Sequence, residues 1–248
     1  MARGLMPTDN GSYVTVRVLH ALKEAFTFKE LEEFLDIPSQ VLWRYVNYLQ
    51  FPEKETSKKI LDVVLEKKLL ENAVRKLVIG PQGMVEEWRF MHNPRFLDIV
   101  GYVAWKHFAE GGIDTVMVPS ERDAPLATIV ADWLSAQACI ASDRAWASWG
   151  RLVSANYQSS DRGELVHLHI PRDAIPKEAK VLIIKGVARN FESLPALCSL
   201  IDQVKGFTAG VLIVVALSDK WLENVEKAGI KKTKVIIRRS DNGFLISL

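Results

Sequence analysis

Two sets of side chains in this sequence have types and spacings that chemistry can use. The first is Gln40, Trp43, Arg44 and Asn47, at i, i+3, i+4 and i+7 of the run QVLWRYVNYLQ. On a helix these four share one face. Glutamine and asparagine can pair with adenine, and arginine with guanine or phosphate. Ser39 stands just ahead of them, and Lys58 and Lys59 follow one segment later as phosphate partners, with Lys29 and Lys54 as further cations. The second set surrounds VLIIKGVARNFESLPAL, from Val181 to Leu197. Its four consecutive apolar residues, Val181 to Ile184, predict a strand buried on both faces, and Leu194 onward predicts a helix. A turn from strand to helix is where backbone amides gather around an anion. In and near this turn Lys185, Arg189, Asn190 and Ser193, with Ser120, Arg122 and Arg144 elsewhere in the chain, offer partners for a small anionic ligand. The same charges can instead close on each other, Lys185 or Arg189 on Glu192, and simply fill the turn.

Other residues offer less. Trp146, Trp149, Arg151 and Tyr157 fit either a surface that stacks on a base or the inside of a small core of their own. His167 and His169 alternate along an expected strand with no cysteine or carboxylate at metal-ligand spacing. No catalytic residue, metal ligand or cofactor site is assigned.

The elements that must position these groups change character along the chain. Up to about residue 73 the pattern is helical. Ser12 to Phe26 carries Val14, Val18, Leu19 and Leu22 on one face. In TFKE, Thr27 and Glu30 make a capping box, and Phe26 with Leu31 can form its staple, which predicts a short helix through Leu35. The turn DIPS leads into the Gln40 helix, whose opposite face presents Leu42, Tyr45, Val46 and Leu49 to the interior. A last amphipathic helix runs to about Leu70. Residues 74–96 read as a connection holding a strand at Lys76–Ile79, a turn at Pro81-Gln82-Gly83 and a second extended piece. From residue 97 onward helices alternate with strands at Asp114–Val118, Ala138–Ala141, Val181–Ile184 and Gly210–Leu217, which implies a parallel sheet. A long excursion up to His169 interrupts the alternation as a flap or hood. A helix at Trp221–Ala228 and a hairpin through SDNG close the chain, with KKTKVIIRR read as a guarded edge strand.

The segment ELEEFLDIPSQVLWRYVNYLQFPEKETSKKI resembles a helix-turn-helix of the Cro/repressor class, with Ile37, Leu42, Tyr45 and Pro52 at matching places. It departs at Asp36 and Tyr48, where glycine is common, and at Pro38, where a small capping residue is usual. The resemblance implies that Ser39, Gln40, Trp43, Arg44, Asn47, Lys58 and Lys59 meet double-stranded DNA. A small helical bundle with Trp43 as a dimer contact is the alternative.

The order of elements from about Leu97 onward resembles the type I phosphoribosyltransferase fold. DTVMVPSERDAPLATIVADWL matches the first core strand, pyrophosphate loop and helix, with Arg122, Pro125, Leu126 and Ala127 in place. ACIASDR matches the second strand and its exit. The later loop departs from the family. Where two acids hold the ribose hydroxyls stand Lys185 and Gly186, and where a Thr-Gly-Gly-Thr run cradles the phosphate stand Asn190, Phe191, Glu192 and Ser193. A charged lysine accepts no hydrogen bond from a diol. A carboxylate about 4 Å from a phosphate costs on the order of 1–4 kcal/mol. Asp123 replaces a usual glycine in the earlier loop and adds another negative charge.

The combination is similar to salvage-pathway regulators of bacteria and archaea. It implies a homodimeric transcription regulator without transferase activity, whose second domain serves dimerisation and the sensing of a nucleotide-like or other anionic effector. The alternative is an active phosphoribosyltransferase with an atypical loop. The expected domains are a mobile tail at 1–11, a helix-turn-helix domain at 12–73, a connection at 74–96 and an α/β domain with a mostly parallel sheet at 97–248.

The 248 residues are 48% hydrophobic and 25% charged with a net charge of +2, the balance of an ordinary soluble chain, and charge alone argues neither for nor against nucleic acid. Cys139 and Cys198 lie in apolar context and read as reduced, buried thiols of a cytoplasmic protein. No apolar run approaches a membrane span.

Overall fold

The computed structural model of the chain describes residues 11–80, 84–241 and 243–248. The tail residues up to 10 and the turn at Pro81-Gln82-Gly83 lie outside the described residues. The chain separates into two compact units, one reaching Tyr102 and one running from Val103 to Ser247.

The first unit is helical. Its elements are α1 (Gly11–Ala25), α2 (Phe28–Leu35), α3 (Ser39–Val46), α4 (Lys54–Glu66), α5 (Leu69–Val78), α6 (Glu87–Met91) and the start of α7 (Pro94–Phe108). The capping box forms as the sequence dictates. The Thr27 hydroxyl accepts the Glu30 amide at 3.2 Å, and the Glu30 carboxylate accepts the Thr27 amide at 2.7 Å. The Thr27 amide, together with the Thr27 hydroxyl donating to the same carboxylate at 2.9 Å, holds the Glu30 carboxyl below its ordinary range. Val14, Val18, Leu19 and Leu22 are buried on α1, which packs against α3, α4 and α5. Arg17 of α1 and Asp98 of α7 form an ion pair at 2.5 Å with both side chains about nine-tenths buried.

Two expectations fail here. The last amphipathic helix is two, because Lys68 adopts a left-handed conformation (φ 51°) and starts α5 afresh. The strand at Lys76–Ile79 does not form. Leu70, Ala73, Val74 and Val78 sit at helical spacing and are buried on α5, so the helix period wins over a short β-like run. Only a bridge between Ile79 and Val85 remains of it.

The second unit holds β1 (Thr115–Val118), α8 (Ala124–Leu134), β2 (Gln137–Ile140), β3 (Leu152–Ser159), β4 (Glu164–Pro171), β5 (Lys180–Ala188), α9 (Leu194–Gln203), β6 (Phe207–Ala216), α10 (Trp221–Lys227), β7 (Thr233–Ser240) and β8 (Gly243–Ile246). Its main sheet runs β2-β1-β5-β6-β7-β8, parallel except for the final β7–β8 pair. The fold class expected from the alternation is present. Val181 to Ile184 and Val211 to Ala216 are fully buried, as strands covered on both faces must be. Strands β3 and β4 form a separate antiparallel hairpin, the expected hood. KKTKVIIRR is not an edge strand: β7 lies between β6 and β8, and β8 takes the edge. Gly210 of β6 is where a side chain has no room, since a Cβ there would meet the Phe108 ring at 2.7 Å and the Lys232 carbonyl oxygen at 2.8 Å.

Candidate nucleic-acid interface and the cleft of the second unit

Helix α3 is presented by a turn that glycine would ordinarily serve. Asp36 caps α2 at φ 54°, with its amide donating to the Glu32 carbonyl. Tyr48, just past α3, stands at φ 58°. Both departures from the repressor pattern therefore keep the left-handed backbone while lacking glycine. Tyr48 is held by its ring: its hydroxyl lies 3.2 Å from His20 Nδ1, and the two rings meet edge to face at 5.6 Å. Leu42, Tyr45 and Val46 are buried, as expected. Leu49 is 66% exposed, because α3 ends at Val46 and the turn at Tyr48 carries Leu49 out of the helical period.

Gln40, Trp43, Arg44 and Asn47 all lie on the exposed side of α3, as do Lys58 and Lys59 on α4. Their hydrogen bonds sort them. The Asn47 side chain turns back and donates to the Trp43 carbonyl at 2.8 Å, so it serves as a helix cap. The Ser39 hydroxyl bonds the Glu32 carboxylate and reaches the Phe28 carbonyl at 3.3 Å. Gln40, Trp43 and Arg44 make no side-chain hydrogen bond, ion pair or ring contact among the described residues.

In the second unit the loops leaving β1 and β5 come together at the point where strand order reverses, the usual ligand position in an open parallel sheet. An ion pair ties the loop after β1 to the last part of β5 itself. Lys185 Nζ lies 3.3 Å from Asp123 Oδ2, and the Asp123 carboxylate also accepts the Gly186 amide at 3.3 Å and the Ser120 hydroxyl at 3.2 Å. The Asp123 side chain is 1% exposed. Lys185, one of the partners expected for Glu192, is thus paired with Asp123, and the charge that Asp123 adds is neutralised inside the protein. Glu192 faces the hood instead, accepting the Ser160 amide at 2.9 Å, the Ser160 hydroxyl and the Asn190 side-chain amide at 2.8 Å. Phe191 stands at φ 52° with its side chain buried, in the cluster that includes Leu194 and Leu197 of α9 and Val166 and Leu168 of the hood.

A cavity of about 410 Å³ opens between these loops and the hood. Of the expected ligand residues, Ser120, Arg122, Lys185 and Ser193 line it. Arg144, Arg189 and Asn190 stand outside its lining: Arg189 is exposed, 3.8 Å from Asp161, and the Asn190 amide is taken by Glu192. Tyr157 is the one aromatic of the expected hood set in the wall. Sequence reasoning missed Arg162 and Asp143, which meet at 2.7 Å in the same wall. The Arg162 hydrogen bond holds the Asp143 carboxyl below its ordinary range. Arg122, Arg162 and Lys185 face Glu121, Asp143 and Asp161, so the lining carries both signs in balance. His169 bonds Ser154 at 2.7 Å, and no group of side chains suited to a metal occurs among the described residues. No helix there is long and apolar enough to cross a membrane.

No protein-family profile matches the chain. It is 25% identical over 150 residues to the "probable purine biosynthesis transcriptional regulator PurR" of Streptococcus pneumoniae, in both strain TIGR4 and strain R6. The match covers 60% of this chain, which spans about half (54%) of the length of those relatives. Solved adenine phosphoribosyltransferases share its backbone. The one from Rhodothermus marinus superposes with a TM-score of 0.52 at 17% identity over 62% of this chain and 86% of its own. The Thermoanaerobacter pseudethanolicus protein gives 0.53 at 15% over 62% and 87%, and the Leishmania donovani protein 0.54 at 13% over 70% and 82%. At these identities the likeness concerns backbone and not chemistry, and the α/β part of this chain has the phosphoribosyltransferase fold.

Proposed function

We propose that this protein is a cytoplasmic, DNA-binding regulator of transcription that acts as a homodimer. In this reading α3 enters the major groove. The phosphoribosyltransferase-like unit serves dimerisation and the sensing of a nucleotide-like or other anionic effector, and transfers nothing. The observation that carries the reading is the outer face of α3: Gln40, Trp43 and Arg44 stand exposed on a short helix held by a turn and, among the described residues, make no side-chain hydrogen bond, ion pair or ring contact. The streptococcal relatives, named as probable purine biosynthesis regulators, support the regulatory role. Ser39 and Asn47 contribute from the ends of α3 through backbone position, and Lys58 and Lys59 meet phosphates.

The absence of transferase chemistry is supported by what fills the loops. Lys185 and Asp123 neutralise each other where diol and pyrophosphate would bind, and Phe191 with Glu192 occupies the phosphate turn. The acids that an atypical transferase would recruit to the ribose, Glu192 and Asp123, are already engaged. An effector would meet Ser120, Arg122 and Ser193 at the cavity wall, while Arg144, Arg189 and Asn190 would reach it only after a loop movement.

A dimer presents two α3 helices to half-sites one helical turn apart. Selection from a randomised duplex pool therefore tests the proposal. Enrichment of an inverted repeat with half-site centres about 10 base pairs apart, by a protein that sediments as a dimer, is the expected outcome. A pool that enriches nothing, or a monomer with and without DNA, contradicts it.

A further inference from the structure

Trp43 is the feature that the hydrogen-bonding face of α3 leaves over. It is 49% exposed in the middle of the helix. The other exposed aromatic side chains of the first unit each have a partner. Tyr13 lies under Arg17, Tyr48 meets His20 and Phe51, and Trp88 lies under Arg89. The Trp43 indole has no ring or cation partner among the described residues. Its neighbours on the same helical face are Gln40, Arg44 and Asn47, all polar. The Asn47 side chain is spent on the Trp43 carbonyl, so the indole is flanked on its face by Gln40 and Arg44, both suited to pairing with bases.

We infer that Trp43 reads the C5-methyl group of a thymine in the major groove, so the sequence this protein prefers carries an A·T pair beside the bases met by Gln40 and Arg44. This rests on the DNA-binding reading above. The major groove offers a single apolar feature, the thymine methyl, and it is recognised by contact with apolar side chains. From Gln40 to Arg44 the helix rises about 6 Å, close to two base-pair steps of about 3.4 Å each. The three side chains therefore cover a run of two or three base pairs, with Trp43 between the two polar readers. Arg44 is suited to guanine and Gln40 to adenine, and neither senses a methyl group. The indole fills that gap, and its Nε1–H can donate to the O4 acceptor of the same thymine.

The test uses the full-length protein and its own selected duplex. Each thymine of the half-site is replaced in turn by deoxyuracil, which lacks only the methyl group. At one position per half-site, binding should weaken roughly fourfold, the transfer value of one buried methyl group. The Trp43→Ala protein should bind thymine and uracil duplexes alike, and Trp43→Phe should recover part of the difference. Arg44→Ala should bind more weakly yet keep the preference for thymine. Uracil tolerated at every position by wild-type protein overturns the inference while leaving DNA binding intact. Trp43→Ala that keeps the thymine preference but dissociates the dimer overturns it too and makes Trp43 a subunit contact. Protein that binds no duplex at all sinks both this inference and the reading on which it rests.

Discussion

A lysine beside a buried aspartate does different work from a lysine facing solvent, and the distinction sets what the cleft can do. Asp123 has lost nearly all contact with water, and Lys185, 25% exposed, is its counter-charge. Removing one member of a buried pair leaves a charge with neither water nor partner, a loss of about 3–5 kcal/mol when both are fully buried. Lys185→Met should therefore lower the unfolding free energy by about 2 kcal/mol in urea titration, and the Asp123→Asn/Lys185→Met double variant should recover most of it. A single variant as stable as wild type would mean that the pair does not hold the loops. The same residues bear on catalysis. In the proposed reading Lys185 takes the diol position and Phe191 the phosphate turn, so no base-dependent release of pyrophosphate from phosphoribosyl pyrophosphate is expected. Release that disappears on mutating residues 189–193 would contradict this. Cys139 supplies a further check: burial pushes its thiol up to about 12, so in native protein at pH 8 it should resist thiol reagents and react only on unfolding. Because the folded state keeps this proton longer than the unfolded state, whose thiol lies near 9, the stability it contributes is lost as pH rises from about 9 towards 12.

At the scale of the elements, local grammar decided what could be read in advance. The capping box at Thr27, the four-residue apolar core of β5 and the alternation of strands and helices are all signals within a few residues, and each formed where its residues stand. The break between α4 and α5 carried no such signal, because Lys68 takes a left-handed conformation without glycine or proline to announce it. Lys76–Ile79 taken alone has a β-like composition, and the buried period that makes most of it helical reaches back to Leu70. β7 is kept from the edge by the short GFLI segment, which pairs outside it. In the cleft, the Asp123–Lys185 bond joins residues 62 apart in sequence, and the Glu192–Ser160 bond joins residues 32 apart. No local pattern encodes such pairings. Asp36 occupies a left-handed cap that disfavours side chains by about 1–2 kcal/mol, so Asp36→Gly should raise stability by about 1 kcal/mol and leave the α3 face unchanged. Gly210→Ala should do the opposite, because the methyl must push on both the Phe108 ring and the Lys232 carbonyl, an overpacking cost of about 1–3 kcal/mol. Denaturant titration of the two variants reads both signs, and an Asp36→Gly protein less stable than wild type would contradict the cap assignment.

For the whole molecule, the proposed division gives recognition to the helical unit and leaves the α/β unit with the transferase fold but not its chemistry. In the proposed complex, α3 meets DNA through a face of which Arg44 is the charged member. The measurement that tests it most directly is a binding titration of wild type and Arg44→Ala on one selected duplex and one scrambled duplex, each at several salt concentrations. If Arg44 reads a base, the variant should lose about 1–3 kcal/mol on the selected duplex and relax preference at one position per half-site. If it meets phosphate, affinity should fall equally on both duplexes and the salt slope should shrink by about one ion per contact. Either result supports α3 as the interface. A folded Arg44→Ala protein whose curves overlay those of wild type on both duplexes would contradict it.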